Sequence, residues 1–398
     1  MNYNIFSLQK IFSSRNFATI LLFAFNTFYL VIDINLISPF KILLMCLCPF
    51  ILIEQEKFIS KALFLGVLYL SCVTLCAYMH PNSFRPSTII YLTMFLIMYI
   101  TFYTLLWQDA WNLDYVLKLL RILIFLYVFF FISQQLFLSV GIRRFPLLNL
   151  SGEPYLKVFK TNALALEPSH SARILCISFY AWLKLNEYKN GYRETISSLW
   201  HNHRYLFLAF LYIMLAMGSG TAMIALFLLS LYFVNRKALV IVPLLFFALT
   251  SINEYINFAS LNRSIKVATA ISSADAQQIH KADGSAYYRI APIVNTIQNS
   301  DVFSSTFWFG NGIDSTIKNG SVDLHSVMIG GVADYGFLSS IFLLLFVYHS
   351  AIRHFFCLET LFFIVLMACT LGNVYYGWGI LMLFTIIKRF EHKYYYKI

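Results

Sequence analysis

Charge is what this sequence has least of. Asp, Glu, Lys and Arg make up 12% of the residues, 60% are hydrophobic and mean hydropathy is +0.71. Soluble domains ordinarily carry about 25% charged residues, so an ordinary soluble globule is excluded and an integral membrane protein is implied. A cleavage site is also missing. The first apolar run follows Lys10 and Arg15, shows no small-residue cleavage pattern and is succeeded by further runs, so it reads as a retained first helix. No cysteine falls in the one long polar segment. Cys46, Cys48, Cys72, Cys76, Cys176, Cys357 and Cys369 all sit in apolar stretches, which argues for buried packing rather than metal ligation or disulfides across external loops. An internal repeat is lacking too, which disfavours the transporter plans built from duplicated halves.

What is present is a succession of apolar stretches. A helix needs about 20 apolar residues to cross the hydrocarbon. Spans are expected near 17–34, 37–53, 62–79, 89–107, 119–141, 171–185, 205–217, 220–235, 238–254, 333–350, 355–371 and 374–388. The pair 205–217 and 220–235 is one apolar run broken at Gly218-Ser219-Gly220-Thr221, and the last pair is split around Gly372 to Gly377. The fold class is therefore all-α, a polytopic transmembrane bundle of about twelve spans. Its three parts are a membrane bundle over 1–254, a large outer loop over 255–324 that contains helices, and C-terminal spans with a cytoplasmic tail over 325–398.

Basic residues orient this bundle. With both termini cytoplasmic, the inner side receives Lys57, Lys61, Lys118, Arg121, Lys184, Lys189, Arg193, Arg204, Arg236, Lys237, Arg353, Lys388 and Arg389, among others. The opposite side keeps Lys41 and Arg85 by short connections, and the rest of its basic residues lie in or beside 142–173 and 255–324. The positive-inside bias acts mainly on short loops, which puts both long segments outside. The net charge of +11 is thereby accounted for by orientation and does not point to nucleic acid.

Four polar clusters fall on the outer side. Glu167-Pro168-Ser169-His170-Ser171, followed by Arg173, opens the sixth span. Pro168 and Ser169 suit a helix start, with Ser169 as a possible cap and Glu167 matched to the dipole. Arg173, close to the membrane, is a charge that needs a reason. Ser219 and Thr221, in the glycine-rich break, suit first a turn with close helix packing and, as the alternative, a cradle for phosphate oxygens. In the long loop, Arg289 sits among Ala286, Tyr287, Tyr288 and Ile290, as on an amphipathic helix over the membrane, where its guanidinium can fork onto a phosphate. Arg263 is a second candidate there. Finally His325 leaves the loop at the outer boundary, and Asp334-Tyr335-Gly336 follows two to three helical turns deeper. A histidine there can act as a base near neutrality, and a carboxylate there needs a partner or water.

Taken together, Glu167 to Ser169, Ser219-Gly220-Thr221, Phe309-Gly310-Asn311-Gly312, and His325 with Asp334-Tyr335-Gly336 resemble the bacterial O-antigen and capsule repeat-unit polymerases (Wzy-type), related to the O-antigen ligases. Ser326 stands where that family typically has Asn after the histidine. The resemblance implies a GT-C-like membrane glycosyltransferase of the bacterial inner membrane, acting on its outer face. It would take undecaprenyl-pyrophosphate-linked oligosaccharide as donor and a second lipid-linked repeat unit as acceptor. No cofactor and no metal are implied, and the outer loops carry no Asp-x-Asp. Arg289, with Arg263 or Arg173, would hold the pyrophosphate. His325 would activate the acceptor hydroxyl, with Glu167 or Asp334 orienting it or substituting for it. A flippase and a chain-length regulator are the implied partners. A ligase transferring the glycan to lipid A core and a non-enzymatic flippase are the alternatives.

Overall fold

The computed structural model describes residues 13–27, 38–55, 60–83, 86–142, 161–165, 167–234, 266, 281, 301–312, 332–367 and 375–395. Among them the structure is all-helical. The elements are α1 (Ser14–Phe25), α2 (Pro39–Gln55), α3 (Lys61–Met79), α4 (Pro86–Trp107), α5 (Leu113–Ser139), α6 (Pro168–Asn190), α7 (Ile196–Asn202), α8 (Arg204–Ala216), α9 (Gly220–Phe233), α10 (Ser305–Phe309), α11 (Val332–Ser350), α12 (Leu358–Phe362) and α13 (Tyr375–Tyr395). A π-helical turn, Phe363–Met367, continues α12.

Each expected apolar stretch holds a helix except 238–254, which lies outside the described residues. Among the described residues three helices, α3, α4 and α5, are long and apolar enough to cross a membrane. Others are shorter than their stretches. The run from residue 17 was expected to stay helical to 34, but α1 ends at Phe25. There the Asn26 side chain donates to Leu22 O (2.9 Å) and to Gly379 O (3.1 Å), drawing the chain out of the helix and onto α13. At Gly379 a Cβ would lie 2.2 Å from Phe25 O, so α1 and α13 meet backbone to backbone. Lys41, near the start of the second stretch, is 6% exposed and donates to Thr27 O just past the end of α1, where a cation is favoured. The Gly218–Thr221 break is a turn as expected: α8 stops at Ala216, Gly218 takes φ 60° and α9 starts at Gly220. Gly377, expected in a break, lies instead inside α13.

Contacts between helices set their directions. Cys76 near the end of α3 meets Asp334 at the start of α11, and Gln134 near the end of α5 meets Ala163 just before α6. At the opposite end the Trp107 ring of α4 lies 5.3 Å from the His392 ring of α13, and Asp114 at the start of α5 pairs with Lys189 at the end of α6. Thus α4, α6, α9, α11 and α13 run one way and α3, α5 and α8 the other, the alternation the apolar stretches require. The basic residues Lys189, Arg389 and Lys393 share one end, the last two clamped on Asp109 at 2.9 and 2.7 Å. All the expected site residues that the structure describes occupy the other.

At the centre is α6. It packs against α5, α8, α9 and α13 and is buried on every side from Ser171 to Leu183, yet it is the least apolar of the long helices. Phe179 stacks on Phe210 of α8 at 4.2 Å, and Tyr180 meets Phe362 at a tilt, 4.9 Å between ring centres. Its last turn closes on Gly191 in the left-handed region (φ 76°), where glycine carries no Cβ penalty.

Candidate functional site

Two features meet at the end opposite the basic cluster. The first is the paired start of α6 and α9. Cys76 apart, the only sulfur bond between long helices among the described residues is Cys176 Sγ to Ala225 O, 3.3 Å. It lies one turn below Arg173 on α6 and one turn below Thr221 on α9. Arg173 and Thr221 therefore stand side by side at one level, each in the opening turns of its helix and near the positive end of its dipole. Pro168 occupies the first turn of α6, where its missing N–H costs nothing. Glu167 is the N-cap residue, so Ser169 is not the cap; its hydroxyl instead donates to Glu167 Oε2 at 3.1 Å. His170 Nε2 stands 3.9 Å from the same oxygen. Arg173 is 4% exposed, Ser169 7% and Thr221 9%. Ser219 is the N-cap residue of α9 and only half-buried.

Segment 161–165 roofs this start. Gln134, 1% exposed, donates to Ala163 O and accepts from Ala163 N, both at 2.8 Å. Ser171 donates its hydroxyl to Asn162 O. The backbone bend at Ala163 (φ 50°) is held by that pair of bonds.

The second feature joins two motifs separated only by residues 313–333. Phe309-Gly310-Asn311-Gly312 is docked on Asp334-Tyr335-Gly336. Gly312 N–H donates to Asp334 O (3.1 Å), and Cys76 Sγ–H reaches the same carbonyl (3.1 Å). Phe307 stacks on Phe337 at 5.0 Å. Gly310 (φ 74°) and Gly336 (φ 80°) lie face to face: a Cβ on Gly310 would be 2.3 Å from Asp334 O, and one on Gly336 2.1 Å from Trp308 O. Gly336, with ψ 169°, breaks α11, and Ser339 and Ser340 donate their hydroxyls to its carbonyl at 2.9 and 3.2 Å. Asp334 was expected deep in the span. It lies instead in the first turn, before the break and half-exposed, because the chain cannot continue a helix through Gly336.

The structure thus brings Glu167, Ser169, His170 and Arg173 together on α6, sets Ser219 and Thr221 beside them, and gives Asp334 to the docked motif pair. Arg263, Arg289 and His325 lie outside the described residues. No family model, curated protein or solved structure matches the chain. The site therefore stands on its own chemistry: a buried guanidinium beside two helix starts favours negative charge, and the Glu167–His170 pair can accept or relay a proton.

Sequence reasoning missed a second cluster at the opposite end. Tyr180 donates to Glu359 (2.7 Å), and Glu187 takes Lys184 and Tyr232, each at 3.1 Å. The basic residues there read as orientation signals alone. The carboxylates Glu187, Glu359 and Glu391, close to the ends of apolar stretches, were the available sign that more than orientation is at work.

Proposed function

We propose that this protein is a polymerase of polysaccharide repeat units, a membrane glycosyltransferase of a bacterial inner membrane with about twelve crossings and both termini inside. Its donor is a glycan carried on undecaprenyl pyrophosphate and its acceptor a second lipid-linked unit. The observation that carries this reading is the enclosure of an ionisable, polar helix start at the centre of an otherwise apolar bundle. A charge at such a place is costly and marks a substrate path. Arg173 with the starts of α6 and α9 suits the diphosphate.

In the reaction the acceptor hydroxyl oxygen attacks the anomeric carbon of the donor. The bond from that carbon to the pyrophosphate oxygen breaks, and undecaprenyl pyrophosphate leaves with the electron pair. The hydroxyl proton passes to a base. His325 is assigned that role by the family resemblance, with Glu167, already hydrogen-bonded and beside His170, as orienting group or substitute. Arg173 gains as negative charge grows on the leaving diphosphate, which is differential stabilisation of the transition state. Arg289 and Arg263 extend the clamp from the loop, and Asp334 anchors the loop's return. A flippase supplies the units and a chain-length regulator sets the product.

The test is a glycan ladder together with extracted lipid-linked intermediates from cells whose only copy is Arg173→Ala or Arg173→Lys. Loss of long chains, with single units accumulating outside and the variant protein present at normal level, supports the reading. A wild-type ladder in Arg173→Ala overturns the clamp. Long chains retained on undecaprenyl pyrophosphate beside bare core make the protein a ligase, and single units trapped inside make it a flippase.

A further inference from the structure

At the end opposite the proposed catalytic face, α6, α9, α12, α13 and the turn after α11 surround an open cavity of about 310 Å³. That is large enough for a small ligand group. Its wall carries both signs of charge. On one side Lys184 and Tyr232 both bond Glu187, and Arg193 lies over the Tyr232 ring at 4.6 Å. Lys388 Nζ donates to the carbonyls of Tyr348 (2.8 Å), His349 and Ile352 (3.0 Å), neutralising the C-terminal end of α11. Arg353, Glu359 and Glu391 line the rest of the wall, with Tyr180 donating to Glu359.

The two carboxylates are an uneasy pair. Glu391 lies beyond the apolar part of α13. Burial, and then the neighbouring Glu359, push its carboxyl above the usual range, with Arg353, His354 and Lys184 opposing. A cation seated between Glu359 and Glu391 relieves that repulsion. An anion alone would meet these carboxylates, and a cation alone would meet the two arginines. A ligand bearing both charges satisfies both halves of the wall.

The rim says where such a ligand comes from. Beside Arg353 the turn carries His354, Phe355 and Phe356, and the two phenylalanines are 60% and 95% exposed. Basic and aromatic residues together at the end of an apolar helix belong at the membrane–water boundary, the depth of lipid headgroups.

We infer that this cavity is a binding site for the headgroup of a zwitterionic, primary-amine phospholipid, with its phosphate against Arg193 and Arg353 and its ammonium against Glu359 and Glu391. The inference is independent of the glycosyl-transfer reading.

The test uses the full-length protein, purified in detergent, delipidated and examined by native mass spectrometry and thermal shift. The probes are phosphatidylethanolamine, phosphatidylcholine, phosphatidylglycerol and soluble O-phosphoethanolamine. The ammonium of ethanolamine donates hydrogen bonds to carboxylates and the trimethylated choline does not, so a preference of about tenfold for phosphatidylethanolamine over phosphatidylcholine is expected. Glu391→Gln should abolish that preference, and Arg193→Gln should weaken retention of both lipids alike. Equal retention of the two lipids, a preference for phosphatidylglycerol, or no retained lipid overturns the inference. If O-phosphoethanolamine alone binds as tightly as the lipid, the site belongs to a soluble phosphate and the lipid assignment fails. Glu391→Gln conserves shape, and a melting temperature without lipid no lower than the wild type's shows that its fold is intact.

Discussion

Gly336→Ala probes the docking of the loop motif on the α11 break. At φ 80° and ψ 169° this residue occupies a region open essentially to glycine alone, and a non-glycine residue there costs about 1–3 kcal/mol. The new Cβ would also lie 2.1 Å from Trp308 O, a backbone atom that no side-chain rotation can move. Relief requires the 308–312 segment to lift, which breaks the Gly312 N–H bond to Asp334 O, worth about 1 kcal/mol net. Together these disfavour the docked arrangement by about 3 kcal/mol or more, over a hundredfold in its population. Gly191→Ala is the matched control. It has φ 76° but nothing within 4 Å of its Cβ, so it bears only left-handed strain of about 1–2 kcal/mol. Hydrogen–deuterium exchange of the peptide holding residues 301–312, with the protein in nanodiscs, reads the docking directly. Gly336→Ala should exchange this peptide at least tenfold faster than wild type, and Gly191→Ala should leave it unchanged. Equal protection in wild type and Gly336→Ala would refute the backbone contact as the cause of docking.

Gln134→Ala strands both backbone groups of Ala163, and should lower thermal stability by about 2–4 kcal/mol while loosening the roof over Glu167; Gln134→Glu should recover part of the loss, since it keeps the acceptor. Lys393 chiefly, and then Arg389, hold the Asp109 carboxyl below its usual range. Its pairing therefore stabilises the fold above the ordinary carboxylate pKa, and that contribution fades as pH falls through the lowered folded-state value. Asp109 is half-exposed, so Asp109→Asn should cost no more than about 1 kcal/mol at neutral pH and nothing in strong acid, as read from melting curves across pH. Burial, and then Arg121, hold the His203 imidazole below its ordinary range where its ring meets Trp182 edge-on at 4.8 Å. Its neutral form is the folded one, so stability should drop as pH falls below the unfolded histidine value. His203→Gln should flatten that part of the melting profile.

Among the described residues, where most apolar stretches lie and how the helices alternate in direction was legible from the order of residues in the sequence. The stretches at 62–79 and 333–350 match α3 and α11 to within a residue, and the Gly218–Thr221 break is where the chain turns. These are local properties: an apolar run must be helical in hydrocarbon to satisfy its own backbone, and a glycine pair lets it reverse. The length of α1 was not legible, because its end is set by Asn26 bonding to Gly379, a residue at the other extreme of the chain.

The site divides the same way. That Glu167, Arg173, Ser219 and Thr221 carry polarity at one end of apolar runs follows from their positions in the sequence. That Arg173 and Thr221 stand at one level follows only from the parallel packing of α6 and α9 through Cys176 and Ala225. Glycines at 310 and 336 are visible in the sequence, but their face-to-face approach is not, nor is the gathering of Glu187, Glu359 and Glu391 around one cavity. Hydropathy is summed over neighbouring residues and so is fixed by the local order of the sequence. Partner choice depends on which distant surfaces the packed helices bring within reach, and only the folded arrangement settles that.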